Sequence, residues 1–303
     1  MKLPASVIVK EVGPRDGLQN EKKVIPTASK IEWINMLSNT GLSYIEVSSF
    51  VHPKWIPALA DAVEVFQGID RKDGITYAAL VPNLNGLERA LATNVDEINV
   101  FLSASETHSQ KNINKSISQA LDVVKEVTTQ SLVAGKKVRG YVSTVFGCPY
   151  EGAVDVYAVE KLCDELLSYG IYEISLGDTI GVANPAQVER VLEVLLERFP
   201  ESSFAMHFHN TYGMALANVL KSLEYGMTTF DSACGGLGGC PYAPGASGNV
   251  ATNDLVHMLH GMGIQTNVDE QQLLEASGFI QSQLGTQLPS HVYRATQHNI
   301  VSR

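Results

Sequence analysis

Two histidines, His207 and His209, stand two residues apart in the run MHFHN. On a strand, alternate side chains share a face, so both imidazoles point the same way. By itself the pair reads equally well as half of a metal site or as two hydrogen-bonded histidines near a rim. Asp16, in GPRDGLQN, and Asn249, which closes GGLGGCPYAPGASGN, favour the metal. One carboxylate, two imidazoles and an amide oxygen form a mixed N/O set that suits Mg²⁺, Mn²⁺ or Zn²⁺, with no thiolate to demand zinc. An ion with positions left open acts as a Lewis acid. Read blandly, Asp16 is a turn residue before Gly17.

Other residues could act around such an ion. Arg15, beside Asp16, can stabilise an oxyanion or bind a carboxylate; the bland reading is an ion pair with Glu11 or Asp16. Glu46, in YIEVSS, and Asp178 are candidate bases or partners of the metal ligands, since a carboxylate inside a fold must be paired. Ser49, Ser175 and Asn112 are candidate hydrogen-bonding groups for substrate, against ordinary capping or turn use. Cys240 sits among glycines at 235, 236, 238 and 239, which suits a loop that closes a thiol over a site. Cys163 falls in a helical pattern, while Cys234 and Cys148 read as small structural residues.

A repeating pattern of short β-rich runs and longer helical stretches must bring these residues together. The strand runs are Ser6–Val12, Tyr44–Ser49, Ile75–Val81, Glu97–Leu102, Val138–Val145, Tyr172–Leu176, Phe204–His209 and Thr228–Ala233. Helical patterns cover about 27–40, with Thr27 as the expected N-cap, then follow Asn83 and reach about Ala134. Further patterns cover about 154–169, 185–199, 214–225 and 251–262. Strands alternating with helices predict a parallel sheet, and eight such units predict an α/β (β/α)8 TIM barrel. There is no GxGxxG at the first helix and no GxxxxGK[ST], so neither nucleotide loop is expected. Residues 1–303 read as one catalytic domain, with the barrel at about 6–263 and a C-terminal helical cap at about 264–303. That cap is one helix, Asp269–Leu284, and a tail. Barrel active sites lie at the C-terminal strand ends, where Arg15, Asp16, His207, His209 and Asn249 all fall. Closing the barrel sets the first strand beside the eighth and near the seventh.

Composition narrows the function classes. Apolar residues make up 45% and charged residues 18% of 303, which excludes disorder, collagen and coiled coil. A net charge of −10 argues against nucleic acid, and an anionic substrate would need local cations set against that field. Four cysteines without a CxxC pair suggest a reducing compartment. No run of 18 apolar residues, signal peptide or lipidation signal is seen, so a soluble cytoplasmic protein without a membrane partner is expected.

The motifs GPRDGLQNE at 13–21, HFHNTYG at 207–213 and GGLGGCPYAPGASGNVAT at 235–252 resemble those of the 3-hydroxy-3-methylglutaryl-CoA lyases, and the resemblance runs from about Val9 to Thr296. The cysteine-loop motif is specific; RDG and HxH are shared with related synthases and aldolases. The resemblance implies a barrel, an Mg²⁺ or Mn²⁺ ion on Asp16, His207, His209 and Asn249, an acyl-CoA substrate and a homodimer. It implies catalytic roles for Arg15 and Cys240 and acidic roles for Glu46 and Asp178. The implied reaction cleaves (S)-3-hydroxy-3-methylglutaryl-CoA to acetyl-CoA and acetoacetate, as in leucine degradation. In it Asp178 or His207 takes the hydroxyl proton, Arg15 stabilises the enolate, and Cys240 protonates it. The sequence departs from the family at Ala233-Cys234-Gly235, where Ser-Val-Ala is common, and at Asn253, where Glu is common. Its tail lacks the thiol that the animal enzymes use in redox control. The alternative is a related acyl-CoA or 2-oxoacid synthase or aldolase with the same metal site. An amidohydrolase also uses HxH in a barrel, but at the first strand.

Overall fold

The computed structural model describes residues 3–239 and 248–301, the side chains of 298–301 excepted. The strands are β1 (Ile8–Glu11), β2 (Tyr44–Ser49), β3 (Thr76–Leu80), β4 (Glu97–Ser103), β5 (Lys137–Ser143), β6 (Glu173–Asp178), β7 (Phe204–Phe208) and β8 (Thr229–Ser232). They pair in chain order, all parallel, and β1 closes on β8 with Ile8 opposite Thr229 and Glu11 opposite Ser232. Between them run α1 (Thr27–Leu37), α2 (Ala62–Gly68), α3 (Leu84–Leu91), α4 (Glu106–Ile113), α5 (Ile117–Val133), α6 (Val156–Ser168), α7 (Pro185–Leu196) and α8 (Ala215–Glu224). After β8 come α9 (Thr252–Gly261), α10 (Glu270–Leu284) and α11 (His291–Val301). This is the expected (β/α)8 barrel with a C-terminal helical extension.

Local side-chain chemistry starts several of the helices. Ser116 and Gln119 form a capping box on α5, and Asn184 and Gln187 form another on α7, with Pro185 at its first position. Asn83 caps α3 by accepting from the Gly86 amide. Thr27 is not a cap: Pro26 holds that position, and the Thr27 hydroxyl donates to Asp61 instead. The tail also departs from expectation, because it carries α11. Asp254 on α9 accepts the Ser290 hydroxyl and the amides of His291 and Val292, so a carboxylate caps the start of this helix.

The helices bury apolar faces against the outer side of the strands, with Trp33, Phe66, Leu166, Leu192 and Val219 fully covered. The barrel's centre is different. Side chains alternate along each strand, and the inward positions include ionised groups. Lys10 of β1 donates to Glu173 of β6, Glu173 accepts from Arg139 of β5, and Arg139 donates to Asp231 of β8. A polar ladder thus fills space that branched apolar residues often occupy in such barrels. Among the described residues, no helix is long and apolar enough to cross a membrane.

Candidate metal and active site

β1 leads into a tight π-type turn over Gly13–Gly17, in which the Val12 carbonyl accepts the amides of Arg15, Asp16 and Gly17. The turn directs Arg15 and Asp16 toward the barrel mouth. β7 delivers His207, and His209 follows just beyond the strand, bridged to Asn249. Potential ligand atoms of Asp16, His207 and His209 lie within 4.8 Å of one another. Asn249 joins them by donating its amide to Asp16 Oδ2 at 2.8 Å and to the Leu237 carbonyl.

The donor set fits a divalent cation. The oxygen of that amide, Asn249 Oδ1, is buried and finds no hydrogen-bond partner among the described residues, a costly state for a polar atom unless a ligand satisfies it. Burial raises the Asp16 carboxyl, but Arg15, His207 and His209 outweigh it and hold it at about 2. His209 is lowered to about 4, by burial first and by His207 second, so it is neutral near pH 7. An ionised carboxylate and a neutral imidazole are the ligand forms a metal requires.

Arg15 is buried and doubly paired. Its Nε donates to Glu46 Oε2 at 2.6 Å, and its Nη1 donates to Asp16 Oδ1. Although burial opposes its charge, Glu46 and Asp16 hold its pKa above the usual value. Glu46 is fully buried and also accepts from Asn99 at 2.7 Å and Tyr141 at 3.2 Å. It therefore positions Arg15 and does not face the cavity as a base. Glu11, the other expected partner of Arg15, instead accepts the amides of Gly13 and Cys234 and the Thr252 hydroxyl.

A cavity of about 1130 Å³ opens above these groups and is lined by Arg15, Asp16, His207, His209, Tyr141 and Asn112, among others. Asn112 thus falls at the cavity, as the sequence suggested. Lys22, Lys111 and Lys115 also line it, supplying the local cations that an anionic ligand of an acidic protein needs. Three candidates are placed elsewhere. The Ser175 hydroxyl is buried and donates to Asp231 at 2.7 Å, below the mouth. Ser49 is buried and accepts the Val51 amide. Asp178 closes the β6 turn by accepting the amides of Val182 and Ala183; burial pushes its pKa up to about 7 against those bonds. None of the three lines the cavity.

Cys240 lies outside the described residues. The described flanks of its segment meet at the site. Gly238 has φ +102°, and a side chain there would press on Asn249 Nδ2 and on the backbone of Asp16 and Gly17. A Cβ on Gly248 would collide with the Gly238 carbonyl, and the Gly248 carbonyl accepts the Asn210 amide. Asn253 performs a role that needs no carboxylate: its Oδ1 accepts the Gly235 amide at the base of the segment.

Asp231 and Arg139 were not singled out from the sequence. Asp231 stands opposite His207 in the β7–β8 register and faces its Nδ1 at 3.2 Å. The available signal was parity: a charged residue at an inward strand position must find a partner.

An HMGL-like family model matches residues 6–280. A Bacillus subtilis protein named hydroxymethylglutaryl-CoA lyase YngG is 59% identical over 96% of this chain and 97% of its own length. The crystal structure of a B. subtilis HMG-CoA lyase superposes with a TM-score of 0.97 at 57% identity, covering 98% of this chain and 100% of the other. An Acinetobacter baumannii HMG-CoA lyase, solved with coenzyme A and 3-methylmalate, has a TM-score of 0.92 at 44% identity, with 97% of each chain covered. With its barrel, its Asp–His–His cluster and these likenesses along almost its whole length, the chain belongs to the HMGL-like family.

Proposed function

We propose that the protein is a divalent-metal-dependent carbon–carbon lyase that cleaves (S)-3-hydroxy-3-methylglutaryl-CoA to acetyl-CoA and acetoacetate. Mg²⁺ or Mn²⁺ is the ion, and the enzyme works as a cytoplasmic homodimer. The observation that carries the reading is the convergence of Asp16, His207, His209 and an Asn249 Oδ1 with no partner among the described residues, beside a buried Arg15 at one cavity. Likeness to lyases at up to 59% identity supports the substrate class.

When bound, the cation lowers the pKa of the substrate's tertiary hydroxyl. His207 accepts that proton: it lines the cavity, whereas the Asp178 carboxyl is engaged by backbone amides. With Nδ1 facing Asp231, Nε2 is its free nitrogen. His207 Nε2 would hold the cation in the resting protein, and it can take the proton only when released from that role, because Nδ1 already carries the ring's hydrogen. As C2–C3 breaks, its electron pair passes to C2 and the thioester, forming the enolate of acetyl-CoA, and the C3 oxygen becomes the ketone of acetoacetate. Arg15, held by Glu46, faces the enolate oxygen. Cys240 then delivers a proton to C2. Lys22, Lys111 and Lys115 meet the phosphates of coenzyme A.

Chromatography of the products tests the reading. Purified protein given 3-hydroxy-3-methylglutaryl-CoA should release acetyl-CoA and acetoacetate in equal amounts. Condensation of acetyl-CoA with a 2-oxoacid, and no cleavage, would identify the synthase alternative.

A further inference from the structure

A buried carboxylate, Asp231, lies beneath the site against His207. Asp231 is fully buried on β8, opposite His207 of β7. Its Oδ1 accepts from Arg139 Nη2 at 2.8 Å, and its Oδ2 accepts from the Ser175 hydroxyl at 2.7 Å. The same Oδ2 lies 3.2 Å from His207 Nδ1. An ionised carboxylate can only accept, so the nitrogen facing it must carry the ring's proton. The buried Arg139 guanidinium is the counter-charge that this carboxylate pairs with.

Neighbouring side chains fix the ring's direction. Tyr141 packs edge-on against His207, with centroids 6.1 Å apart and planes at 86°. Tyr141 is itself held between the guanidinium groups of Arg139 and Arg15, 4.8 and 5.2 Å from its ring. Its hydroxyl donates to Glu46. Arg139 in turn donates to Glu173, which Lys10 also pairs. The anchor for His207 therefore extends through the barrel's interior to β1.

We propose that Asp231, anchored by Arg139 and Ser175, is a positioning residue that locks His207 as its Nδ1–H tautomer and presents the Nε2 lone pair to the cavity. A metal-ligating histidine whose other nitrogen donates to a carboxylate is oriented and made more basic, and loss of such a partner costs 10–100-fold in metal affinity or activity. Asn in place of Asp231 would offer an amide that can donate to Nδ1, which favours the opposite tautomer. The consequence for turnover rests on the lyase reading; the tautomer itself does not.

The test is nitrogen NMR of metal-free protein labelled with ¹⁵N-histidine, with His207 assigned by loss of its signals in His207→Asn. In the wild type, Nδ1 should resonate as a protonated nitrogen and Nε2 as a lone-pair nitrogen near pH 8. Asp231→Asn should lose that assignment, bind Mn²⁺ about 10–100-fold more weakly by titration, and lose kcat more than KM. A protonated Nε2 in the wild type overturns the proposal, and this measurement decides even if Asp231→Asn does not fold. A folded Asp231→Asn with the wild-type tautomer and Mn²⁺ affinity also overturns it, leaving Asp231 as a counter-ion for Arg139. A changed tautomer and affinity in a protein whose wild type cannot cleave 3-hydroxy-3-methylglutaryl-CoA would refute the lyase reading alone.

Discussion

Replacing Arg15 by methionine separates its catalytic role from its structural one. Glu46 is fully buried, and its closest cationic contact is Arg15 Nε at 2.6 Å. Removing one partner of a buried pair costs about 3–5 kcal/mol, because the other charge remains in a poor solvent. Asn99 and Tyr141 still donate to Glu46 in the variant, which places the expected loss near 3 kcal/mol. That corresponds to a fall in Tm of roughly 5 °C for a chain of this size. Turnover should fall further. Loss of one oxyanion donor costs about 3–4 kcal/mol, or on the order of 10²–10³ in kcat, with little change in KM. The double variant Arg15→Met with Glu46→Gln removes the stranded charge. It should regain most of the Tm but none of the kcat. Arg15 is also the largest favourable influence on the Asp16 carboxylate, so kinetics should be measured at saturating Mg²⁺ or Mn²⁺. The measurements are thermal melts and initial rates of acetoacetate formation for all three proteins. Recovery of kcat in the double variant, or a loss confined to KM, would refute an enolate-stabilising role for Arg15.

Cys240→Ser should keep fold and metal yet lose most turnover. Alkylation should inactivate through Cys240, with substrate protecting it, because Cys148, Cys163 and Cys234 are buried and burial pushes the Cys163 thiol up to about 12; wild-type turnover in Cys240→Ser would remove the thiol from the mechanism. In metal-free protein, the His209 pKa is depressed from 6.5 to about 4, so its stability contribution is full above pH 6.5 and is lost as pH falls through 4. That contribution is at most about 3 kcal/mol. Glu11 acts oppositely, raised from 4.5 to about 7 mainly by burial, so its contribution is full below 4.5 and lost as pH rises through 7. The comparison must therefore be wild type against His209→Gln: their Tm difference should shrink between pH 6.5 and 4, and parallel curves would contradict the assignment.

The strand pattern and the residues at strand ends were legible because each rests on local chemistry. Runs such as YIEVSS and EINVFL have the β-rich composition of strands, and Asn83 has a side chain that caps a helix. The cluster of Asp16, His207 and His209 was legible because His207 and His209 share a face through strand parity, and barrel closure brings β1 to β8. The interior was not. GPRDG reads as an ordinary turn, and only its shared Val12 acceptor reveals the π-type geometry that aims Arg15 and Asp16. Ser49, Ser175 and Asp178 have suitable chemistry at strand ends, yet their hydrogen bonds go to Val51, Asp231 and the 182–183 backbone. Asp231 and Arg139 are 92 residues apart, so their pairing is a product of closure that no local pattern carries.

Chelation followed by metal restoration tests the central claim most directly, with cleavage of 3-hydroxy-3-methylglutaryl-CoA followed in one continuous assay. Protein stripped of divalent ions should form neither acetyl-CoA nor acetoacetate, and Mg²⁺ or Mn²⁺ should restore both in equal amounts. Full cleavage by verified metal-free protein would contradict the site built on Asp16, His207, His209 and Asn249.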